Sequence, residues 1–363
     1  MVNRRDKKKV VYLFGAGATH AVLKSISPTL SLLTKDIQER MARNHRKYPS
    51  KRLSDKIWSE LITVQDIEHL ISVLESQHHY FASEIIREYY RNAIVDIIRS
   101  SPELKKLPAK NLYTVLIDLH NNVNSFDEEL LCFITLNYED ILERTIKAPL
   151  GFAIDYSLHL DTSRPRTKAI KILKLHGSFN WQNTRPVTVK SMTATKSSDS
   201  LWIPPGVEKK KDNYPFNLLW GQASEILMRC DILRIIGCSL SRNDWGLIPI
   251  LYTVQRFNHT GKMIKIEIID YPSVATAITH NYEYLDFQSL IDMPEILYYY
   301  KKFFPSASPG ELIAEITAKF LDKDKTNPFQ EWLDAKIGYL IDRFKLDIKT
   351  PPQNIVHNFY YKT

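Results

Sequence analysis

The chain has 363 residues, of which 44% are apolar and 25% are charged. These values are typical of a globular protein, so they exclude a disordered, collagen-like or coiled-coil chain. The length predicts roughly two domains, or one large domain with an added lobe.

The net charge is mildly positive, because 49 lysines and arginines outnumber 41 aspartates and glutamates and give a formal charge of +8. Basic residues cluster at the N-terminus, between residues 40 and 52, and at residues 209–211. Such clusters attract nucleic acids or acidic partners. No interleaved aromatic residues or nucleic-acid-binding motif accompany them, so we interpret them as solvated loop charges and expect nucleic-acid binding to be weak or indirect.

The three cysteines, Cys132, Cys230 and Cys238, are too few and too scattered for a disulfide framework or a four-cysteine zinc site. We therefore predict a reducing compartment and no bound metal. The N-terminus is charged where a signal peptide would be apolar, and no segment approaches the ~20 consecutive apolar residues that cross a bilayer. These features predict a cytoplasmic protein that does not bind membranes.

The first predicted element is a buried parallel strand at residues 10–14, which is rich in β-branched and aromatic residues. It leads directly into a glycine turn at residues 15–19. Small side chains in such a turn let backbone N–H groups approach a pyrophosphate, and the N-terminus of the next helix favours negative charge. The turn lacks complete GxGxxG spacing, so by itself it leaves nucleotide binding and an ordinary tight turn equally open.

Helical periodicity runs from residue 30 to about residue 99 and predicts a helical insertion or lobe. Further strand-like runs follow at residues 131–136, 170–175, 232–236 and 264–269. Strands that are separated by long crossovers form a parallel sheet with helices packed on its faces. Charged residues interrupt the second and fourth of these runs, which predicts positions toward an edge of the sheet.

Two later regions complete the organisation. The polar segment at residues 185–211 is rich in serine, threonine and lysine, and we interpret it as a loop over a site or as a surface excursion. Ser308 and Asn327 each precede a proline in an N-capping pattern, which predicts helices that start near residues 309 and 328.

Each predicted strand ends in small or polar residues. Because the carboxyl ends of parallel strands face the ligand crevice of an open sheet, we expect these segments to converge on one cleft. Asn137 follows the second strand, and its amide suits a ribose hydroxyl, a water molecule or the cap of the next helix. His176 follows the third strand, and its imidazole suits either proton transfer near neutral pH or a structural hydrogen bond.

Four motifs in chain order resemble those of the sirtuin-like superfamily: FGAGAT at 14–19, TLNYED at 135–140, KLHGSFNW at 174–181 and IGCSL at 236–240. The likeness extends over about residues 10–285 and is to the bacterial branch whose members hydrolyse NAD+ in antiphage defence. It implies a Rossmann-like α/β fold with a parallel sheet, helices on both faces, a helical insertion after the first strand and a C-terminal helical extension. The implied domains are an NAD-binding catalytic domain at 1–290, with the insertion at about 30–125, and the extension at 291–363.

The resemblance also implies roles for individual residues. Asn137 and His176 match the catalytic asparagine and histidine of the family. Glu139 precedes Asp140 where the family usually continues with a single aspartate, so either carboxylate is a candidate to face the nicotinamide. The other implied nucleotide-binding residues are Gly15, Ala16, Gly17, Ala18, Thr19, Thr135, Asp140, Gly237, Cys238, Ser239, Asp244 and Asp270.

The implied activity is an NAD+ hydrolase, with NAD+ as the substrate, that releases nicotinamide and ADP-ribose and depletes NAD+ by abortive infection. The zinc cysteines of the protein-deacylating sirtuins are absent, which argues against deacylation. A second hypothesis is a regulatory subunit that binds NAD+ or ADP-ribose and hydrolyses little.

Members of this branch occur with a HerA-like ATPase or an Argonaute-type protein, so such a partner or a homo-oligomer is expected. The aromatic residues at 298–304 are a candidate partner surface, although core packing is the simpler interpretation.

Overall fold

The computed structural model describes residues 7–27, 32, 34–47, 53–64, 67–122, 127–148, 150–158, 169–192, 195, 199–204, 212–241, 246–257, 261, 263–323 and 326–344. The strands in these ranges are β1 (Lys8–Phe14), β2 (Glu128–Thr135), β3 (Ala153–Asp155), β4 (Ala169–Lys174), β5 (Gly177–Gln182), β6 (Thr188–Val189), β7 (Ser200–Trp202), β8 (Ile232–Ile236), β9 (Lys265–Ile269) and β10 (Phe287–Ser289).

The helices in the same ranges fall into three groups along the chain. The first group, between β1 and β2, contains α1 (Ala16–Ile26), α2 (Thr34–Lys47), α3 (Asp55–Thr63), α4 (Ile67–Ser76), α5 (Tyr80–Ser100), α6 (Pro102–Lys105) and α7 (Leu112–Asn122). The second contains α8 (Ile141–Lys147), α9 (Phe216–Leu227), α10 (Ile248–Phe257) and α11 (Pro272–Asn281), and the last contains α12 (Pro294–Lys301), α13 (Pro309–Lys319) and α14 (Pro328–Phe344).

The framework is a seven-stranded sheet in the order β10-β9-β8-β1-β2-β4-β3, and every neighbouring pair is parallel. Alternate residues of the central strand face opposite layers, as the two-residue period of a strand requires. Tyr12 and Phe14 pack with residues of α1, α7 and α14, whereas Val11 and Leu13 pack with residues of α9, α10 and α11. Helices therefore cover both faces, and the predicted Rossmann-like α/β class is confirmed.

All five predicted strands are present, with boundaries that differ by at most three residues, and the predicted helical insertion contains α2 to α5. The helix starts near the C-terminus are also confirmed. Ser308 accepts a hydrogen bond from Glu311 N while the Glu311 carboxylate accepts one from Ser308 N, and Asn327 accepts one from Gln330 N. These caps satisfy N–H groups that the first turn of a helix leaves without a partner.

Strands β4 and β9 each lie one position in from an edge, since the short strands β3 and β10 flank them. Of the four charged residues that interrupt them, Lys174 and Glu267 are buried, whereas Lys171 is half-buried and Lys265 is exposed. Lys174 is fully buried and its Nζ lies 2.8 Å from Glu143, while Glu267 is 2% exposed and accepts a 2.6 Å hydrogen bond from Arg234. Two of the four interruptions therefore mark buried ion pairs.

A network of buried charges crosses one face of the sheet around Arg234 on β8. Its guanidinium binds Glu128 on β2 at 2.8 Å and Glu267 on β9, and Lys336 on α14 binds Glu128 at 2.9 Å and Glu295 at 3.2 Å. Burial alone would raise the pKa of Glu128, but Arg234 and Lys336 hold it well below its ordinary value. The network joins three strands to α12 and α14.

Replacing Arg234 with methionine should lower the free energy of unfolding by about 3–5 kcal/mol, because two buried carboxylates lose their shared cation. Denaturant unfolding measures the change. The matched control is Arg229→Met, which removes the exposed pair with Glu225 and should cost less than about 1 kcal/mol. Equal effects of the two substitutions would contradict a stabilising role for the network.

Candidate functional site

The five central strands end at one level of the sheet. Phe14, the last residue of β1, is paired with Thr135 of β2 and Ile236 of β8. Thr135 is in turn paired with Lys174 of β4, and Ile236 with Ile269 of β9. The polar and glycine-containing segments that follow these residues therefore lie along the same edge.

Two glycine turns pack backbone to backbone at this edge. Gly17 N donates a 2.8 Å hydrogen bond to Gly237 O, and a Cβ added to Gly17 would lie 2.8 Å from the Gly237 Cα. Gly237 has φ = +58°, and a Cβ there would lie 2.0 Å from Ala18 N. This contact explains why both turns need glycine.

The first turn of α1 has limited N–H capacity for a ligand. Gly17 N is bound to Gly237 O, and Ala18 N donates to Gly15 O at 3.1 Å. Ala16 is exposed at the start of the helix, while Thr19 is buried behind it. Ala16 is therefore the exposed residue of this turn, at the positive end of the helix dipole.

Asn137 lies just beyond β2 and is half-buried. Its backbone N–H donates to the Thr135 hydroxyl at 3.1 Å, and its side-chain Nδ2 donates to Gly15 O and Thr19 Oγ1, both at 3.0 Å. The side chain therefore does not cap α8. Instead it joins the end of β2 to the glycine turn after β1.

The two acidic residues that follow have different surroundings. Both oxygens of Glu139 are engaged, since Oε1 accepts from Thr19 at 2.6 Å and Oε2 accepts from Ile141 N at 2.7 Å. Asp140 is also buried, and its Oδ1 lies 3.8 Å from the Arg144 guanidinium. Burial raises the pKa of the Asp140 carboxyl, although Arg144 opposes the shift. The Glu139 carboxylate is thus committed to bonds within the protein.

His176 lies on the neighbouring strand end and is 3% exposed. The hydrogen bond from Leu175 N to Thr135 O, 3.1 Å long, extends the pairing of β2 and β4 to this level. The His176 ring stacks against Tyr138 at a centroid distance of 6.0 Å, with Trp220 at 6.4 Å on another side. Asn137 and His176 therefore lie on adjacent strand ends, one in polar and the other in aromatic surroundings.

A small antiparallel sheet, in the order β6-β5-β7, follows His176 directly and was not predicted from the sequence. It brings Phe179 and Trp202 against the Tyr138 ring, at centroid distances of 5.2 and 5.1 Å. The segment at residues 185–211 therefore contributes to the site through β7. The apolar residues within that polar segment, beginning at Trp202, were the available signal.

The remaining predicted residues differ in how far they are buried. Cys238 is buried and Ser239 is exposed in the turn after β8, and Asp270 is partly buried after β9. Asp270 Oδ1 accepts a 2.7 Å hydrogen bond from Tyr271 N, and burial raises the pKa of this carboxyl to about 6. Asp244 lies outside the described residues.

In the part of the chain that the structure describes, no group of three or more His, Cys, Asp or Glu side chains is arranged to hold a metal ion. In the same residues, no helix has the length and apolar character that a bilayer span needs.

Comparison with known families identifies one region of the chain. Residues 131–260 match the family model of the SIR2-like domain. The matched region contains Asn137, His176 and Gly237, whereas the glycine turn at residues 15–19 precedes it and reaches it through the contact with Gly237. No curated protein matches this sequence.

Several solved structures of Sir2 proteins are similar to the chain. A triple mutant of a Sir2 homologue in complex with 2'-O-acetyl ADP ribose has 15% identity and a TM-score of 0.40, and the match covers 89% of this chain and 96% of that one. A Sir2 homologue in complex with NAD has 15% identity and a TM-score of 0.37, with coverages of 88% and 92%. A Sir2 homologue mutant in complex with ADP ribose has 15% identity and a TM-score of 0.37, and the match covers 88% of this chain and 94% of that one.

Asp270, ten residues beyond the matched SIR2-like region, provides a pH test of this end of the sheet. Its pKa is about 6 in the folded protein and about 4 in an unfolded chain, so the folded state binds more protons and loses stability as the pH rises from 4 to 6. Asp270→Asn removes this loss while keeping an acceptor for Tyr271 N.

The stability of the Asp270→Asn variant relative to the unmodified chain should therefore increase from pH 4 to pH 7 and then level off. One pKa unit corresponds to about 1.4 kcal/mol, so the increase reaches at most about 3 kcal/mol. Unfolding curves recorded at each pH measure it. A difference that does not change with pH would contradict the raised pKa.

Proposed function

We propose that the protein is an NAD+ hydrolase that breaks the bond between nicotinamide and ribose and releases nicotinamide and ADP-ribose. The observation that carries this proposal is the position of Asn137 and His176 on adjacent strand ends, beside the paired glycine turns. The match of residues 131–260 to the SIR2-like domain family supports the same substrate class.

The chemistry needs more positioning than acid catalysis. The nicotinamide of NAD+ is already cationic, so it leaves as a neutral molecule when the C–N bond breaks and its electron pair stays on the nitrogen. The barrier is the oxocarbenium-like ribose that forms. Its positive charge is stabilised by groups that are already oriented when the bond breaks.

Asn137 and His176 have complementary roles in this proposal. Asn137 presents its carbonyl Oδ1 to a ribose hydroxyl or to the attacking water. His176 accepts a proton as the water oxygen bonds to the anomeric carbon, and then returns it to solvent. The surrounding rings of Tyr138 and Trp220 keep bulk water away, which strengthens electrostatic interactions at the reacting centre.

The other strand ends supply the nucleotide-binding residues of the proposal. The pyrophosphate is assigned to the start of α1 at residues 15–19, where the helix N-terminus favours an anion. The turn at residues 237–239 and Asp270 are assigned to the adenosine half. Thr135 and Asp140 line the nicotinamide end, and Asp244 keeps its role as a predicted binding residue.

The biological role that we propose is depletion of cytoplasmic NAD+ in antiphage defence. One observation favours the alternative of a regulatory NAD+- or ADP-ribose-binding subunit, because a histidine that is only 3% exposed has little access to substrate in this conformation. Hydrolysis would then require a partner that moves the aromatic side chains around His176, namely those of Tyr138 and Trp220.

The proposed partners are a second copy of the chain, a HerA-like ATPase or an Argonaute-type protein. Tyr298, Phe303 and Phe304 on and after α12 are exposed by 41%, 62% and 38%, which supports a partner surface in that region.

Asn137→Ala and His176→Ala should each reduce nicotinamide release from NAD+ by at least about 100-fold, since each removes a group that acts on the reacting centre. Chromatography of the products measures the rate. Asn281→Ala and His280→Ala are matched controls, because both residues are exposed at the far end of α11. Full activity of both site variants, with the fold intact, would contradict the proposed roles.

Incubating the chain with NAD+, alone and with its neighbouring gene product, separates the two functions. The hydrolase proposal predicts nicotinamide and ADP-ribose in equal amounts in at least one of the two mixtures. Tight ADP-ribose binding by calorimetry without nicotinamide in either mixture would instead support the regulatory subunit.

A further inference from the structure

We infer that Glu139 is a positioning residue, which acts through the Thr19 hydroxyl to hold the Asn137 amide with its carbonyl oxygen available to the substrate. This inference rests on the proposed function and assigns Glu139 a role that is separate from contact with nicotinamide.

Three side chains, Glu139, Thr19 and Asn137, form a hydrogen-bonded chain, here called the Asn137 relay. Thr19 Oγ1 lies 2.6 Å from Glu139 Oε1. A carboxylate only accepts hydrogen bonds, so the single hydroxyl proton of Thr19 points to Glu139. The oxygen of Thr19 is then left with lone pairs and can only accept from its other neighbours.

The orientation of the Asn137 amide follows from the acceptors that surround it. Asn137 approaches Thr19 Oγ1 and Gly15 O with the same terminal group, at 3.0 Å each. Both of these oxygens accept, so the group that faces them must be the NH2 of the amide, which has two protons to donate. The reverse orientation would bring the Asn137 carbonyl against two acceptors. The carbonyl Oδ1 therefore points away from the glycine turn.

Glu139 is itself held at two points. Its second oxygen accepts a 2.7 Å hydrogen bond from Ile141 N at the start of α8, and its backbone oxygen accepts a bond from the Lys174 ammonium. Glu139 is 7% exposed and Lys174 is fully buried. The Glu139 carboxylate is thus anchored to a helix start and its backbone to β4, so the relay is held in place from Glu139 to Asn137.

Tyr113 provides a control within the same cluster. Its hydroxyl lies 3.1 Å from Thr19 Oγ1, and it has to donate because the Thr19 proton is committed to Glu139. Tyr113→Phe removes a hydrogen bond to Thr19 but leaves both bonds of the Asn137 relay. It therefore separates loss of any buried bond at Thr19 from loss of the relay.

The kinetic test compares Thr19→Val, which has the same shape but no hydroxyl, with Thr19→Ser, which keeps it. Thr19→Val should lower kcat for nicotinamide release by about 10–100-fold, because small errors in position cost this much, with less than threefold change in the Kd for ADP-ribose. Tyr113→Phe should stay within about threefold of the unmodified chain, and Thr19→Ser, which keeps the hydroxyl, should recover most of the kcat that Thr19→Val loses. Glu139→Gln should lower kcat in the same direction as Thr19→Val.

A second measurement does not depend on activity. In the full chain with 15N-labelled asparagine, the side-chain NH2 signals of Asn137 are those that disappear in Asn137→Asp. The chemical shift of one proton of this pair should change in Thr19→Val and in Glu139→Gln. Both chemical shifts should stay the same in Thr19→Ser and Tyr113→Phe. The Glu139→Gln result is decisive, since the Glu139 carboxylate is hydrogen-bonded to Thr19 and Ile141 and reaches the Asn137 amide only through Thr19.

The outcomes separate the two proposals. If the unmodified chain releases no nicotinamide but the NH2 signals respond as expected, the relay stands and the hydrolase assignment fails. If the chain is active and Thr19→Val and Glu139→Gln change neither kcat nor the NH2 signals, the relay is overturned. If Thr19→Val does not fold, the comparison of Glu139→Gln with Thr19→Ser tests the relay by the same two measurements.

Discussion

Close contact between the backbones of two turns sets the geometry of the whole site. Gly17 and Gly237 approach so closely that a Cβ on either would collide with the other turn. This contact places the start of α1 directly beside the end of β8, and it gives Gly15 O the position at which Asn137 binds it. The proposed nucleotide site is therefore built on backbone that side chains could not replace.

The strand framework could be predicted because its central strands are almost continuous apolar runs. A buried parallel strand needs apolar residues on both faces, and the runs at 10–14 and 131–136 meet that need. The other three runs are apolar apart from the buried charges Lys174, Arg234 and Glu267 and their exposed or half-buried lysines. The polar residues at their ends then had to meet at one edge, since parallel strands in register end together. Neither conclusion requires knowledge of which helix packs on which face.

Other features could not be predicted, because they depend on tertiary neighbours. β5 contains glycine and asparagine, which are poor strand formers, yet it is extended. It pairs with β6 and β7, and its residues Phe179 and Trp181 are buried in the two different core clusters. Lys174 of β4 predicted a position toward an edge, and β4 lies one position in, but the sequence did not show that Glu143 pairs with this buried lysine. The partners of Asn137 come from residues more than 110 positions away, so its capping and binding interpretations could not be separated from the sequence.

The aromatic side of the site is connected to the helical insertion by one buried cation. Arg91 on α5 is 3% exposed and lies 5.6 Å from the Phe179 ring centre, and its guanidinium donates to Thr195 O at 2.8 Å and to Ser200 Oγ at 2.9 Å. Ser200 in turn donates to Phe179 O. A displacement of α5 has to break these bonds or carry β5 and β7 with it, and Phe179 and Trp202 would then shift against Tyr138. The polar half of the site is held by the glycine turns, whereas the half that covers His176 depends on how the insertion packs.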